Sequence, residues 1–317
     1  MRTIGLLEMK RVLPTIDLVE ALESGFVAYS QGKVVVPPVG ELLFQDPPGD
    51  VHIKYGYVPG EDYYVIKIAS GFYRNPEVNL PSSNGLMLLF CQKTGRLKCF
   101  LMDEGYLTDV RTAVAGAIAA RYLAPGRVNR IGILGTGVQA RVQLQYIALA
   151  TDCKNVLAWG RNSENLELYR KDMERAGFNV ATTRHAGEVA ADCNLIVTAT
   201  VSTSPLLHNA EIRPGTHITA VGADASRKQE LDPAILKRAD LVVADSISQC
   251  CERGEIAHAL RAGLLEKERL LELGNVISGA APRRTSDSQI TVADLTGVAI
   301  QDIQIAKAVF EAVRKTV

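Results

Sequence analysis

A chain of 317 residues that is 47% apolar is long enough to bury one large core or two smaller ones. Its 35 basic and 35 acidic side chains cancel, which argues against an extended nucleic-acid-binding face but leaves room for a local phosphate pocket. No apolar run approaches the roughly 20 residues that span a bilayer, so no membrane partner is expected. The opening MRTIGLLEMKRVLPTIDLVEALE has helical spacing of apolar and charged residues and lacks the pattern of a secretory signal. Six cysteines at 91, 99, 153, 193, 250 and 251 form no metal knuckle and no disulfide framework. The five histidines are equally dispersed, so no metal is assigned and a cytoplasmic location is expected.

The pattern predicts a helix over 18–29 and short extended pieces at 34–38 and 42–44. Residues 51–58 and 63–69 read as strands joined by a turn at Gly60-Glu61-Asp62, and 85–91 and 97–102 as a second pair. The first hundred residues are therefore sheet-rich. An alanine-rich helix follows over 108–123 and stops at Pro125-Gly126. Strands are then expected at 131–134, 155–159, 179–181, 195–199, 217–221 and 241–245, with helices between most of them. That alternation predicts an α/β fold whose parallel sheet is covered on both faces and binds its ligand at the carboxyl ends of the strands. A last helix over 301–314 is placed to pack back on the N-terminal part.

The stretch RIGILGTGVQARVQ, Arg130 to Gln143, turns a short apolar strand directly into a helix through Gly135-x-Gly137-x-x-Ala140. Glycines there permit a tight turn and let a pyrophosphate approach the N–H groups at the helix start. By itself this is also the mark of a plain strand–helix turn; the strand–helix alternation that follows favours a dinucleotide. Gly135, Thr136, Gly137, Val138 and Gln139 are the expected cradle. At the next strand end, Gly160 stands where an acid would favour NAD, and Arg161 and Asn162 follow. The missing acid and the arginine point to NADP(H), with NAD(H) still open and Arg161 readable as a solvent-facing turn residue. Ser163 is either a phosphate contact or a helix cap.

Three further residues stand out. Lys67 is placed at the end of a strand, where its ammonium could orient a carboxylate or simply reach water over a buried stem. Arg111 lies early in a small, apolar helix and offers two directed bonds to a carboxylate, or a surface ion pair. Thr108 and Thr112 beside it read as capping or packing residues. Asp224 follows a strand and Gly222-Ala223, where it could exchange a proton with a substrate nitrogen or cap a helix.

The segments VIKIASGFYRNP, GYLTDVRTAVAGAIAARYLA, GILGTGVQA, TAVGADASRKQELDP and DLTGVAIQD, in this order over residues 65–302, resemble the ornithine cyclodeaminase/mu-crystallin family. The resemblance implies a Rossmann-like nucleotide domain over 121–290. It also implies a second α+β domain, for substrate binding and dimerisation, built from 1–120 and 291–317. It places Lys67 in the substrate site, Arg111 on the substrate α-carboxylate and the acid at Asp224, and so implies an enzyme. The expected activity is an NAD(P)-dependent imine reductase or amino-acid dehydrogenase acting on a small amino or imino acid, as a homodimer. A cyclodeaminase with retained NAD and a non-enzymatic binding protein are the alternatives. Two departures bear on substrate choice: Gly40 stands where many relatives carry an arginine, and Lys54 approximately where some cyclodeaminases carry a glutamate. Lys54 reads either as a ligand for a second acidic group or as one side of a cross-strand surface pair.

Overall fold

The computed structural model describes residues 2–72 and 74–315, which divide into two compact units, 2–111 with 298–315 and 112–297. The first unit begins with β1 (Arg2–Gly5), α1 (Leu6–Val12) and α2 (Leu18–Ser30). In α2, Leu18, Leu22 and Phe26 repeat every four residues and are all buried, and Asp17 caps the helix by accepting the Glu20 N–H at 2.9 Å. The antiparallel run β2 (Gly40–Gln45), β3 (Pro48–Tyr57), β4 (Tyr63–Phe72), β5 (Ser83–Cys91), β6 (Leu97–Met102) follows. β1 adds itself in parallel to β6, giving the order β1-β6-β5-β4-β3-β2. Residues 2–5 read as part of a helical pattern in sequence; they are a strand because the free edge of β6 supplies partners and Ile4 is fully buried there.

α3 (Tyr106–Leu123) is capped by Asp103, which accepts the Leu107 N–H at 2.9 Å, so the cap is not Thr108. In the second unit, β7 (Ile131–Leu134), α4 (Val138–Ile147), β8 (Asn155–Trp159), α5 (Ser163–Arg175), β9 (Asn179–Thr183), α6 (Ala186–Asp192) and β10 (Leu195–Thr198) alternate as expected. β11 (Thr203–Leu207), β12 (His217–Ala220), β13 (Gln229–Leu231), α7 (Pro233–Arg238), β14 (Leu241–Ala244), α8 (Ile247–Cys250), α9 (Glu255–Arg261), β15 (Leu270–Glu272), α10 (Leu273–Ser278) and β16 (Thr291–Asp294) complete it. The main sheet is parallel with eight strands in the order β15-β14-β16-β12-β10-β7-β8-β9. β11 and β13 pair separately. Strands β7, β10, β12, β14 and β16 are buried at every residue, as a sheet covered on both faces requires.

α11 (Ala299–Lys315) returns to the first unit and packs along α2 and across β3, β4 and β5. Its approach to α2 depends on Gly25, where a Cβ would lie 2.7 Å from the Gln304 side chain. Two boundaries need correction: the first segment ends within α3 at 111 rather than at 120, and the middle unit extends to 297 rather than 290. The sequence pattern attaches residues 291–297 to the substrate domain with α11, but β16 is an interior strand of the other unit, hydrogen-bonded to both β12 and β14. Its four apolar-rich residues run into the DLTGVAIQD segment without a break in composition, so pattern alone attaches them to the wrong side.

Candidate active site

In the first unit, Lys67 sits in the interior of β4, not at its end, and is only 2% exposed. The surface-lysine reading is therefore excluded. Arg111 is likewise buried, one turn into α3. Both cations converge on Asp302 of α11: Lys67 Nζ lies 3.4 Å from Oδ2, and Arg111 Nε lies 3.0 Å from Oδ1. Arg111 Nη1 also donates to Gln301 Oε1 at 3.1 Å, and no bond to Nη2 is seen among the described residues. Burial pushes the Asp302 carboxyl up, but Arg111, Lys67 and Lys54 outweigh it and hold the group below the ordinary carboxylate range. For Lys67 burial wins, and its ammonium is held less firmly than an ordinary lysine despite Asp302. Because a guanidinium keeps its charge in any surroundings, Arg111 secures the anion at Asp302.

Lys54 is buried as well and stands directly opposite Lys67 in the β3–β4 register, so the surface-pair reading fails. Gly40 faces Ile53, one residue away on β3, and a Cβ there would find ordinary contact at 3.4 Å. Nothing in the packing forces a glycine at that position. Asp302 was missed in sequence. Its signal is an acid inside the run ITVADLTGVAIQDIQIA, which is otherwise apolar or uncharged apart from Asp294; a charge in such company is buried and paired.

The second unit carries the glycine turn at the carboxyl end of β7. Gly135 has φ +122°, and a Cβ there would meet the Ala199 carbonyl oxygen at 2.5 Å. Gly137 is the opposite case: a Cβ would meet nothing within 4 Å, and no side chain caps α4 behind it. Thr136 and Gln139 are half-buried, and Val138 in the first turn is 57% exposed. Arg141 folds back and donates to the Thr136 and Gly137 carbonyl oxygens, while the Gly135 N–H donates to the Trp159 carbonyl oxygen at 2.9 Å. An open, uncapped helix start behind a glycine-only bend fits a pyrophosphate.

At the end of β8, Gly160 is crowded, since a Cβ would press on Thr136 Cγ2 at 2.7 Å. A larger residue there would require the Thr136 and Leu166 side chains to shift. Arg161 is exposed, while Asn162 caps α5 by accepting the Asn165 N–H at 2.9 Å. Ser163 is thus not the cap; its hydroxyl accepts from Arg184 Nη1 at 2.8 Å. Arg184, at the exit of β9, is a second cation beside this corner that sequence reading missed, because the strand was ended at 181. In the loop after β12, the Asp224 side chain is 40% exposed and bonded to Lys228 Nζ at 2.6 Å, whereas the Lys228 side chain is only 9% exposed. Asp224 is thus open to a ligand and held by a largely buried ammonium.

Among the described residues no three of His, Cys, Asp and Glu group to hold a metal, and no helix is long and apolar enough to cross a membrane. All six cysteines are free, Cys250 and Cys251 included.

Residues 6–316 match the model of the ornithine cyclodeaminase/mu-crystallin family. The chain belongs to that family. It is similar to a Sinorhizobium fredii protein named as an uncharacterized cyclodeaminase, 39% identical over 308 residues, with 96% of this chain and 93% of the relative covered. Among solved structures it is similar to an archaeal alanine dehydrogenase dimer with bound NAD, at 33% identity and TM-score 0.90, with 99% and 97% of the two chains covered. It is also similar to the Δ1-pyrroline-2-carboxylate reductase of Thermococcus litoralis in complex with NADH and L-proline. There identity is 25% and TM-score 0.93, with 100% and 98% covered.

Proposed function

We propose that this chain is a nicotinamide-dependent oxidoreductase acting on the C–N bond of a small α-amino acid or cyclic imino acid. The observation that carries the reading is the Lys67–Asp302–Arg111 cluster. Two buried cations share one carboxylate, so the cluster retains positive charge and a guanidinium edge for a substrate carboxylate. The Gly135–Gln139 turn would hold the pyrophosphate of a bound dinucleotide, which would supply or accept the hydride. Arg111 and Lys67 hold the substrate carboxylate and fix its orientation. Asp224 engages the substrate nitrogen, giving a proton in the reductive direction and accepting one in the oxidative direction; Lys228 holds it for that exchange.

The deciding assay follows nicotinamide absorbance with Δ1-pyrroline-2-carboxylate and related imino acids, with keto acids plus ammonia, and with diamino acids. Reduction of the imine without added ammonia is the expected result. Amination of a keto acid alone would select the dehydrogenase. Ammonia release from a diamino acid without net nicotinamide consumption would select the cyclodeaminase, and no turnover with any of them would favour a binding protein.

For the cofactor, NADP(H) is the proposed preference. It is supported by the lack of an acid at Gly160, by the exposure of Arg161 and by Arg184 behind Ser163. Loss of a hydrogen bond to a charged group weakens binding by about tenfold. Arg161→Ala should therefore weaken NADPH about tenfold and leave NADH nearly unchanged in fluorescence titrations. Equal effects on both, or a parental preference for NADH, would reverse the assignment.

A homodimer through the first unit is proposed from β2. This edge strand exposes Leu42, Leu43 and Phe44 at 54%, 63% and 43%, on both faces, an aggregation-prone arrangement unless a second copy covers it. Light scattering should give twice the 34.3 kDa chain mass, and Leu43→Lys should shift it toward the monomer. A parental mass of 34.3 kDa at micromolar concentration would refute the dimer.

A further inference from the structure

The chain segments that leave β10 and β12 meet on one buried carboxylate. Glu230, in β13, is fully shielded from solvent. Its Oε2 accepts from Thr198 Oγ1 at 2.7 Å and from the Gly222 N–H at 3.0 Å, and its Oε1 accepts from the Thr200 N–H at 2.7 Å. Thr198 ends β10 and Thr200 begins its exit; Gly222 lies just beyond β12. These exits touch at the level of backbone. A Cβ on Gly222 would fall 2.4 Å from the Thr200 carbonyl oxygen and 2.5 Å from Glu230 Oε2. The β10 exit in turn abuts the glycine turn through Ala199 and Gly135. Glu230 is itself fixed from behind, since its own N–H and that of Leu231 donate to the buried Glu255 carboxylate at 2.7 and 3.1 Å.

An ionised carboxylate suits three donors on two oxygens, having acceptor sites on both and no proton of its own to place. Burial pushes the Glu230 carboxyl up to about 6, against the donors from Thr198, Thr200 and Gly222, so it is still ionised at neutral pH. The direction in which a dinucleotide crosses this sheet gives the clasp its meaning. The strand order reverses at β7, with β8 and β9 on one side and β10 and β12 on the other. With the adenosine ribose at the β8 exit, the nicotinamide half falls along the exits of β10 and β12.

We propose that Glu230 is a positioning residue that clasps the β10 and β12 exits together and thereby shapes the nicotinamide half of the dinucleotide site, including the Gly222–Asp224 approach. The proposal rests on the dinucleotide reading above. It predicts a selective defect, because the glycine turn and the β8 corner make no bond to Glu230.

The test is calorimetric titration of the full chain with two ligands. One is the reduced dinucleotide that the parent binds more tightly, NADPH or NADH; the other is the matching ADP-ribose, with or without the 2′-phosphate. Glu230→Gln keeps the shape but turns one acceptor into a donor facing an N–H or hydroxyl. It should weaken the dinucleotide by about tenfold or more while ADP-ribose stays within about threefold. Thr198→Val removes one donor and spares both backbone N–H groups, and should give the same selectivity at smaller size. Equal weakening of both ligands, or no weakening, overturns the proposal; if Glu230→Gln does not fold, Thr198→Val decides by the same comparison. A parent that binds neither ligand removes the dinucleotide reading and this proposal with it, whereas a parent that binds both separates the two.

Discussion

Asp302→Asn is expected to lower stability by roughly 3–5 kcal/mol, the range found when one partner of a buried ion pair is removed. The substitution preserves volume but leaves Lys67 and Arg111 buried beside each other with no anion between them. The pH dependence distinguishes this cause from simple loss of packing. The Lys67 ammonium already titrates below an ordinary lysine in the folded chain, mainly through burial. Between that lowered value and the ordinary one near 10.5, the unfolded chain binds more protons, so stability rises with pH across the window. Without Asp302 the folded value falls further and the window opens at lower pH. Urea midpoints at pH 7 and pH 9.5 should therefore differ more for Asp302→Asn than for the parent, with the variant recovering part of its loss at the higher pH. Lys67→Met in the Asp302→Asn background should recover part of it at pH 7. A variant within about 1 kcal/mol of the parent at pH 7 would mean that the three charges are not coupled as their distances indicate.

The second large effect is on turnover. Asp224→Asn keeps the side-chain volume and the approach of Lys228 but removes the group assigned to proton exchange. A positioned general acid or base contributes typically 10²–10⁴-fold, so kcat on the identified imino or amino acid should fall by about that factor. Dinucleotide affinity, read by fluorescence, should change by less than about threefold, because the substitution keeps the side-chain volume and Asp224 is assigned to the substrate nitrogen rather than to the dinucleotide. A variant that keeps the parental pH–rate profile and turnover would show that the proton moves by another route.

Much of the fold could be read directly because its signals are local. β6, β7 and β8 stand at the predicted bounds, since each is a short apolar run closed by turn residues or glycine. The strands that sequence reading missed, β1, β11, β13, β15 and β16, are set by partners distant in the chain rather than by their own pattern. The site shows the same division. Gly135 and Gly137 announce themselves because the turn needs them. Asp302 and Glu230 do not, because each acts on groups that only the folded chain brings near: Lys67 and Arg111 for one, Thr198, Thr200 and Gly222 for the other. The position of Lys67 was misjudged for a related reason. A lysine inside an apolar strand looks like a strand end until its buried counter-ion is known.

The split of the first unit across both flanks of the chain has a consequence for synthesis on the ribosome. Residues 2–111 emerge first, yet the faces of β3, β4 and β5 that α11 covers stay without their helix until residues 112–297 have been made. At about 5–20 residues per second that interval lasts some tens of seconds. The uninterrupted middle unit can close during that time, while the earlier sheet waits with Lys67 and Arg111 lacking the carboxylate they share. Nascent chains halted before residue 299 should therefore show a protease-resistant core from the middle unit and a digestible leading segment, and should be the species on which chaperones act.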